Sequence, residues 1–210
     1  MSNPEPEKSA FLNRIGLRPS CIWEQADAAL FADFLPADMA DELQREILQQ
    51  VDWQQHRVFL FGQWRDCPRL SAWHGDAGAR YAYTGQALEP RPWIAPLTAI
   101  RIRLQQALGL DFNSVLLNRY RDGDDAMGWH SDNEPSLGPE PVIASISLGA
   151  TRKFSLRTRS KPRQYHHLDL SHASLLLMAG RCQHDWQHQL PRTRRAVGQR
   201  INLTFRRIRG

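Results

Sequence analysis

Cysteine is scarce in this chain. Its three residues, Cys21, Cys67 and Cys182, lie far apart, are odd in number and never form C-x-x-C. That argues against a disulfide scaffold and against a thiolate zinc site, and it leads to the expectation of a reducing compartment. Long apolar runs are missing too, for nothing approaches the roughly 20 residues that span a bilayer. The opening MSNPEPEKSAFLNRIG is polar and proline-containing, with two Glu against one Lys and one Arg, and lacks the apolar core of a signal peptide. There is no internal repeat and no linker-like stretch. A soluble cytoplasmic protein without a membrane partner is expected, and a monomer.

What is present fits one folded domain. The 210 residues are 41% hydrophobic, include seven Trp, and carry a net charge of +5. A basic surface attracts phosphate backbones or acidic membranes, and charge alone does not choose between them. Residues 1–20 read as a flexible tail and 21–210 as a single domain. PADMADELQREILQQV carries a helical stripe of Met39, Leu43, Ile47 and Val51 behind Pro36. RPWIAPLTAIRIRLQQALG reads as a second helix closed by Gly109. HRVFLFGQW and RYAYTG read as strands, the first ending in a glycine turn. From SVLLNRY onward the texture is short β-rich runs, PVIASISLGA, RKFSLRT, YHHLDLS, ASLLLMAG and RINLTFRRI, separated by turn residues. Such spacing predicts a β-sandwich or barrel, with helices and a hairpin packed on it.

The chemistry gathers around Trp129-His130-Ser131-Asp132. Residues two apart on a strand face one side, so His130 and Asp132 can act together. An H-x-D triplet alone is weak evidence and is more often a solvated polar turn. A third ligand must come from His166, His167, His172, His184 or His188. The His184/His188 spacing would suit a zinc pair on a helix, but that stretch lacks a helical apolar stripe. One later His would complete a two-His-one-carboxylate face, which holds Fe(II) and leaves positions open. RINLTFRRI then places Arg200, Asn202, Thr204 and Arg206 on one strand face, opposite Ile201, Leu203 and Phe205. Two guanidiniums on a polar face suit a carboxylate. Asn118 and Tyr120 share a face in SVLLNRY, ten residues before the triplet. The run Arg152, Lys153, Arg157, Arg159, Lys161 and Arg163 is a candidate phosphate track, or a solvated loop.

LLNRYRDGDDAMGWHSDNE, ISLGATRKFSLR, HQLP and RINLTFR, in that order, resemble the AlkB family of Fe(II)/2-oxoglutarate dioxygenases. The likeness runs from about Val58 to Ile208, and LFGQW, GDAG and RPW are similar to the branch that repairs double-stranded DNA. The resemblance implies an α+β fold with a double-stranded β-helix (jelly-roll) core at about 114–208, N-terminal helices, and a nucleotide-recognition lid at about 53–95. It implies Fe(II) on His130, Asp132 and His188, and 2-oxoglutarate held by Asn118, Tyr120, Arg200, Asn202, Thr204 and Arg206. Tyr81 and Tyr83 would line the base pocket, with Arg69 and Asn133 near it, and Phe61 would wedge into the duplex from a hairpin tip. Asn133 stands where the branch often has an acid, and Tyr83 where it often has Phe. The implied reaction uses O2 and 2-oxoglutarate to hydroxylate the alkyl carbon of bases such as 1-methyladenine and 3-methylcytosine in DNA, with RNA left open as a substrate, releasing succinate, CO2 and an aldehyde. A protein or small-molecule hydroxylase of the same class would keep the iron and 2-oxoglutarate residues but not need the hairpin or the basic run.

Overall fold

In this computed structural model the described residues are 17–209 without 61, 80, 84 and 85; for 60, 81–83 and 86–88 the backbone alone is described. Among the described residues, fifteen strands and three α-helices follow in order: β1 (Cys21–Trp23), β2 (Ala28–Phe31), α1 (Ala37–Gln50), β3 (Arg57–Leu60), β4 (Gln63–Asp66), β5 (Leu70–Gly75), β6 (Tyr81–Tyr83), β7 (Gln86–Leu88), α2 (Ala95–Leu108), β8 (Ser114–Tyr120), β9 (Met127–His130), β10 (Ile143–Gly149), β11 (Arg152–Thr158), β12 (Tyr165–Leu170), β13 (Ser174–Met178), α3 (Cys182–Asp185), β14 (Trp186–Leu190) and β15 (Arg200–Arg206). A seven-stranded sheet runs β1-β2-β13-β10-β15-β8-β5, and a four-stranded sheet runs β12-β11-β14-β9, so that β9 and β12 are its edges. The hairpins β3–β4 and β6–β7 form sheets of their own. This is an α+β jelly roll.

Alternation explains how the large sheet serves two layers. On β8, Val115 and Leu117 enter a core with Leu43 and Ile47 of α1 and Leu97, Ile100 and Leu104 of α2. On β15, Ile201, Leu203 and Phe205 do the same. The intervening residues, Asn118, Tyr120, Arg200, Asn202, Thr204 and Arg206, point the other way, into the space between the sheets. There a second core joins Tyr120, Phe154, Leu156, Leu168, Leu176, Met178, Trp186 and Leu190. α1 begins after Pro36, and α2 stops where Gly109 takes a left-handed φ of 65°.

Three boundaries differ from expectation. Leu17 already packs against the helix-side core, so ordered chain starts inside the expected tail. β1 and β2 extend the large sheet ahead of the helices. β5, within the stretch expected as lid, is the edge strand of the large sheet beside β8. The basic run is also corrected in part. Arg152 is buried, and its guanidinium donates to the carbonyls of Asp122, Asp125 and Pro191 at 2.8, 3.0 and 2.8 Å. It therefore ties the turn before β9 to the turn after β14 and offers nothing to a phosphate.

Gly149 ends β10 opposite Arg200 with a φ of 90°. An added Cβ would stand 2.5 Å from the Gln199 carbonyl oxygen. Gly149→Ala is expected to cost about 1–3 kcal/mol in backbone strain. A melting curve would show it as a fall of about 2–4 °C per kcal/mol.

Candidate active site

The register of the small sheet sets His188 of β14 directly opposite His130 of β9. Trp186, His188 and Leu190 alternate inward along β14, so His188 lies in the jelly-roll interior. The two imidazoles sit edge to face with centroids 4.2 Å apart. Asp132 follows β9 by two residues, and the ligand atoms of His130, Asp132 and His188 all lie within 4.8 Å of one another. Among the described residues this is the one such convergence of three metal-ligating side chains.

Each of the three is prepared to donate electron pairs. His130 Nδ1 lies 2.8 Å from the Gly128 carbonyl oxygen. That contact places the ring proton on Nδ1 and leaves the Nε2 lone pair facing the cavity. Nε2 is 3.9 Å from Asp132 Oδ1, beyond hydrogen-bond range. Burial pushes His188 down to about 3, with repulsion from the His130 ring on protonation adding to the shift, so the imidazole is neutral near pH 7. Burial alone would raise the Asp132 carboxyl. The Arg206 guanidinium and the two imidazoles outweigh it and hold the group well below the usual carboxylate range. Arg206 donates Nη2 and Nε to Oδ2 at 2.7 and 3.2 Å, which leaves Oδ1 turned toward the histidines.

The site opens on a cavity of about 190 Å³. All six residues expected to hold a dicarboxylate line it: Asn118, Tyr120, Arg200, Asn202, Thr204 and Arg206. Arg200 is 1% exposed. Its Nη2 donates to Ser147 Oγ at 2.9 Å, and the guanidinium lies over the Tyr120 ring at 5.4 Å. Its Nε has no hydrogen-bond partner among the described residues. Burial brings the group down to about 10, still a cation at neutral pH. A buried guanidinium on the wall of a cavity is suited to an incoming carboxylate. Asn202 and Thr204 are already engaged. Asn202 donates to Ser145 Oγ and the Ile146 carbonyl, and Thr204 Oγ1 donates to Asn202 Oδ1 at 3.1 Å.

The remaining expected positions scatter. Arg69 is buried and donates to Asn118 Oδ1 at 2.8 Å, lining a smaller neighbouring cavity that shares Leu116, Asn118 and Arg206 with the first. Asn133 is exposed and outside the cavity, whereas the next residue, Glu134, lines it. Tyr81 and Tyr83 lie on β6, with side chains outside the described residues, and Phe61 lies outside them altogether. His184 is exposed on α3, its Nε2 against the Pro139 carbonyl.

Sequence reading missed Glu134 and Gln183. Gln183 is fully buried, and its Oε1 accepts the Asp132 backbone N–H at 2.9 Å. Its position just before His184 gives no periodic signal. A partner that fixes a ligand's backbone acts on metal affinity, so Gln183→Ala is expected to weaken Mn(II) or Fe(II) binding about 10–100-fold. Titration of the metal-free protein would measure it, with Gln183→Glu retaining the acceptor and most of the affinity.

Comparison with known proteins agrees with this geometry. The 2OG-Fe(II) oxygenase superfamily matches residues 27–206. The DNA oxidative demethylase ALKBH2 of Mus musculus is 41% identical over 80% of this chain and 75% of its own. The alpha-ketoglutarate-dependent dioxygenase alkB homolog 3 of Rattus norvegicus is 39% identical over 92% of this chain and 67% of its own. Among solved structures, that of OsALKBH1 superposes with a TM-score of 0.62 at 17% identity, covering 91% of this chain and 98% of that one. At that identity the likeness shows the fold. With a converging His-Asp-His set, a carboxylate-ready arginine and relatives this similar, the chain belongs to the AlkB family of the 2OG-Fe(II) oxygenase superfamily, and is an Fe(II)/2-oxoglutarate-dependent dioxygenase.

Proposed function

We propose that this dioxygenase oxidatively dealkylates N-alkylated bases, such as 1-methyladenine and 3-methylcytosine, in DNA, and so repairs alkylation damage by direct reversal. The observation that carries the reading is the 41% identity, over most of both chains, to a DNA oxidative demethylase. The expected cofactors suit the residues present. Fe(II) takes two neutral imidazoles and one carboxylate on one face, which His130, His188 and Asp132 offer. The distal carboxylate of 2-oxoglutarate suits the Arg200 guanidinium on the cavity wall, with Asn118 and Tyr120 on the adjoining strand.

When bound, Fe(II) with 2-oxoglutarate and O2 supplies the oxidation of an N-alkyl C–H bond, leaving succinate and CO2. The chain's own part is positional. Arg206 orients Asp132, and Asn202 and Thr204 hold the β15 face in register with β10. Phe154, Met178 and Leu190 keep the inner wall apolar. The hydroxylated alkyl group then leaves as an aldehyde, restoring the base. Glu134, which lines the cavity beside the iron ligands, is the side chain placed to read the base, with Tyr81, Tyr83 and Arg69 completing its pocket and residues 53–69 and 76–95 forming the lid. Three free thiols suit a monomer working in the cytoplasm. Among the described residues no helix is long and apolar enough to cross a membrane.

The hairpin β3–β4 supports a duplex substrate. Phe59 and Trp64 are 59% and 60% exposed, in edge contact at 5.4 Å, so this hairpin is not part of the core. An apolar hairpin beside Phe61 is suited to entering a base stack, where a wedge offsets unstacking of about a few kcal/mol per step. Phe61→Ala, and separately Phe59→Ala, are expected to cut repair in duplex DNA roughly tenfold while single-stranded repair changes little. The melting point should hold. A uniform loss on both substrates would show a packing role instead. The function itself is tested by incubating methylated DNA with Fe(II), O2 and 2-oxoglutarate and weighing the bases. Succinate formed without loss of the methyl mass would refute it.

A further inference from the structure

We propose that the outer face of the four-stranded sheet is a stacking platform for unpaired nucleotides flanking the target base. The idea rests on the nucleic-acid substrate just proposed and extends it to a surface outside the cavity.

The sheet has two chemically different faces. Inward go His130, Phe154, Leu156, Leu168, Trp186 and His188. Outward, in the alternate positions, go Trp129 of β9, Gln187 of β14, Arg157 of β11, and Tyr165 and His167 of β12. These outward side chains touch one another. The Arg157 guanidinium stands 4.2 Å from the Trp129 ring centre and is held there by two hydrogen bonds to Gln187 Oε1, at 3.0 and 2.8 Å. The Tyr165 ring meets Trp129 at 6.3 Å and lies nearly parallel to His167 at 6.4 Å. Tyr165 is 50% exposed. A merely solvated sheet face gains nothing from gathering a Trp, a Tyr, a His and an Arg. Aromatic rings with interleaved arginine are what sequence-tolerant binding of single strands uses, because every base offers a π-face.

Charge points to the same occupant. From Pro141 to Leu168 the chain has no acidic residue and six cations. Five of them, all but the buried Arg152, belong to this face or to the loop that borders it. The first carboxylate, Asp169, comes at the far end of β12 opposite Lys153. At the near end Arg159 donates Nη2 to Ser131 Oγ at 2.8 Å, and Ser131 lines the catalytic cavity. The platform is thus continuous with the cavity mouth, so a strand whose target base is in the cavity can lay neighbouring bases across Trp129 and Tyr165. A paired duplex would present its backbone instead of base faces, so this platform serves unpaired strand, whereas the β3–β4 hairpin serves a paired one.

The test pairs binding with turnover on Tyr165→Ala, Trp129→Ala and Trp129→Phe. Binding is read as anisotropy of a labelled fifteen-residue oligothymidylate, and turnover on 1-methyldeoxyadenosine 5′-monophosphate, which has no neighbouring base, and on 1-methyladenine in a single-stranded fifteen-mer. We expect each Ala variant to raise the oligothymidylate Kd and the fifteen-mer KM about tenfold, in line with the loss of one stacked base. Mononucleotide kcat and KM should not move, and Trp129→Phe should keep most of the affinity. Unchanged fifteen-mer binding in Tyr165→Ala would overturn the platform and leave the face to a protein or to no ligand. Equal loss on mononucleotide and fifteen-mer would also overturn it, by marking a fold defect. If the wild-type chain binds oligothymidylate, loses it in the Ala variants and demethylates neither substrate, the platform stands and the dealkylation reading fails.

Discussion

Replacing His188 with Ala is expected to reduce turnover to background and to remove tight Fe(II) binding, while His184→Ala keeps most of both. The two histidines are four residues apart, yet the one-turn helix α3 ends between them and β14 begins. His184 faces solvent and the Pro139 carbonyl. His188 faces His130 across the sheet. Removing it leaves His130 and Asp132, two ligands where the ion needs three. It also takes a neutral ring from beside Phe154, whose plane stacks on it at 5.4 Å. To separate chemistry from packing, metal titration should accompany a melting curve of the metal-free protein. His188→Gln, which fills the space without the imidazole, should be as inactive as the Ala variant. An active His188→Ala with a dead His184→Ala would reverse the ligand assignment.

The β15 arginines should divide by role. Arg200→Ala is expected to weaken 2-oxoglutarate binding roughly a hundred- to several-thousand-fold, the counterpart of the about 3–5 kcal/mol cost of leaving one member of a buried charge pair alone. Metal affinity without 2-oxoglutarate should hold, because Arg200 donates to Ser147 and not to a ligand. Arg206→Ala should damage both, since it strips Asp132 Oδ2 of its two charge-assisted hydrogen bonds. Arg207 is the internal control. Its side chain is 62% exposed and only 3.7 Å from Asp111 on the surface, so Arg207→Ala should change stability by no more than about 0.5 kcal/mol. Calorimetric titration with Mn(II), then with 2-oxoglutarate, reads all three variants. Equal effects at 206 and 207 would break the two-faced reading of the strand.

That two-faced reading was legible because strand alternation survives in RINLTFR and SVLLNRY, where one face meets helices and the other a polar cavity. Both helices were legible from their stripes and from Gly109. Other elements were hidden for physical reasons. Ala28–Phe31 is short and buried nearly throughout, so it shows no alternation. Leu70–Gly75 carries no β-branched residue. Arg152 read as a surface cation because nothing local announces three distant carbonyls. The contact between Gln183 and Asp132 spans 51 residues, and the bond from Arg206 to Asp132 spans 74. Both arise only when the two sheets close on each other.

The position of β9 has a consequence for the life of the protein in a cell. It is a sheet margin with one neighbour, β14, and the three ligands sit on that seam or just past its end. An ion held there stitches the margin shut, and an ion at a hundred times its Kd adds about 2.7 kcal/mol to the folded state. Under iron starvation that stitch is lost, and β9 is where fraying and proteolytic nicking begin. Iron supply would thereby govern the abundance of the enzyme as well as its activity.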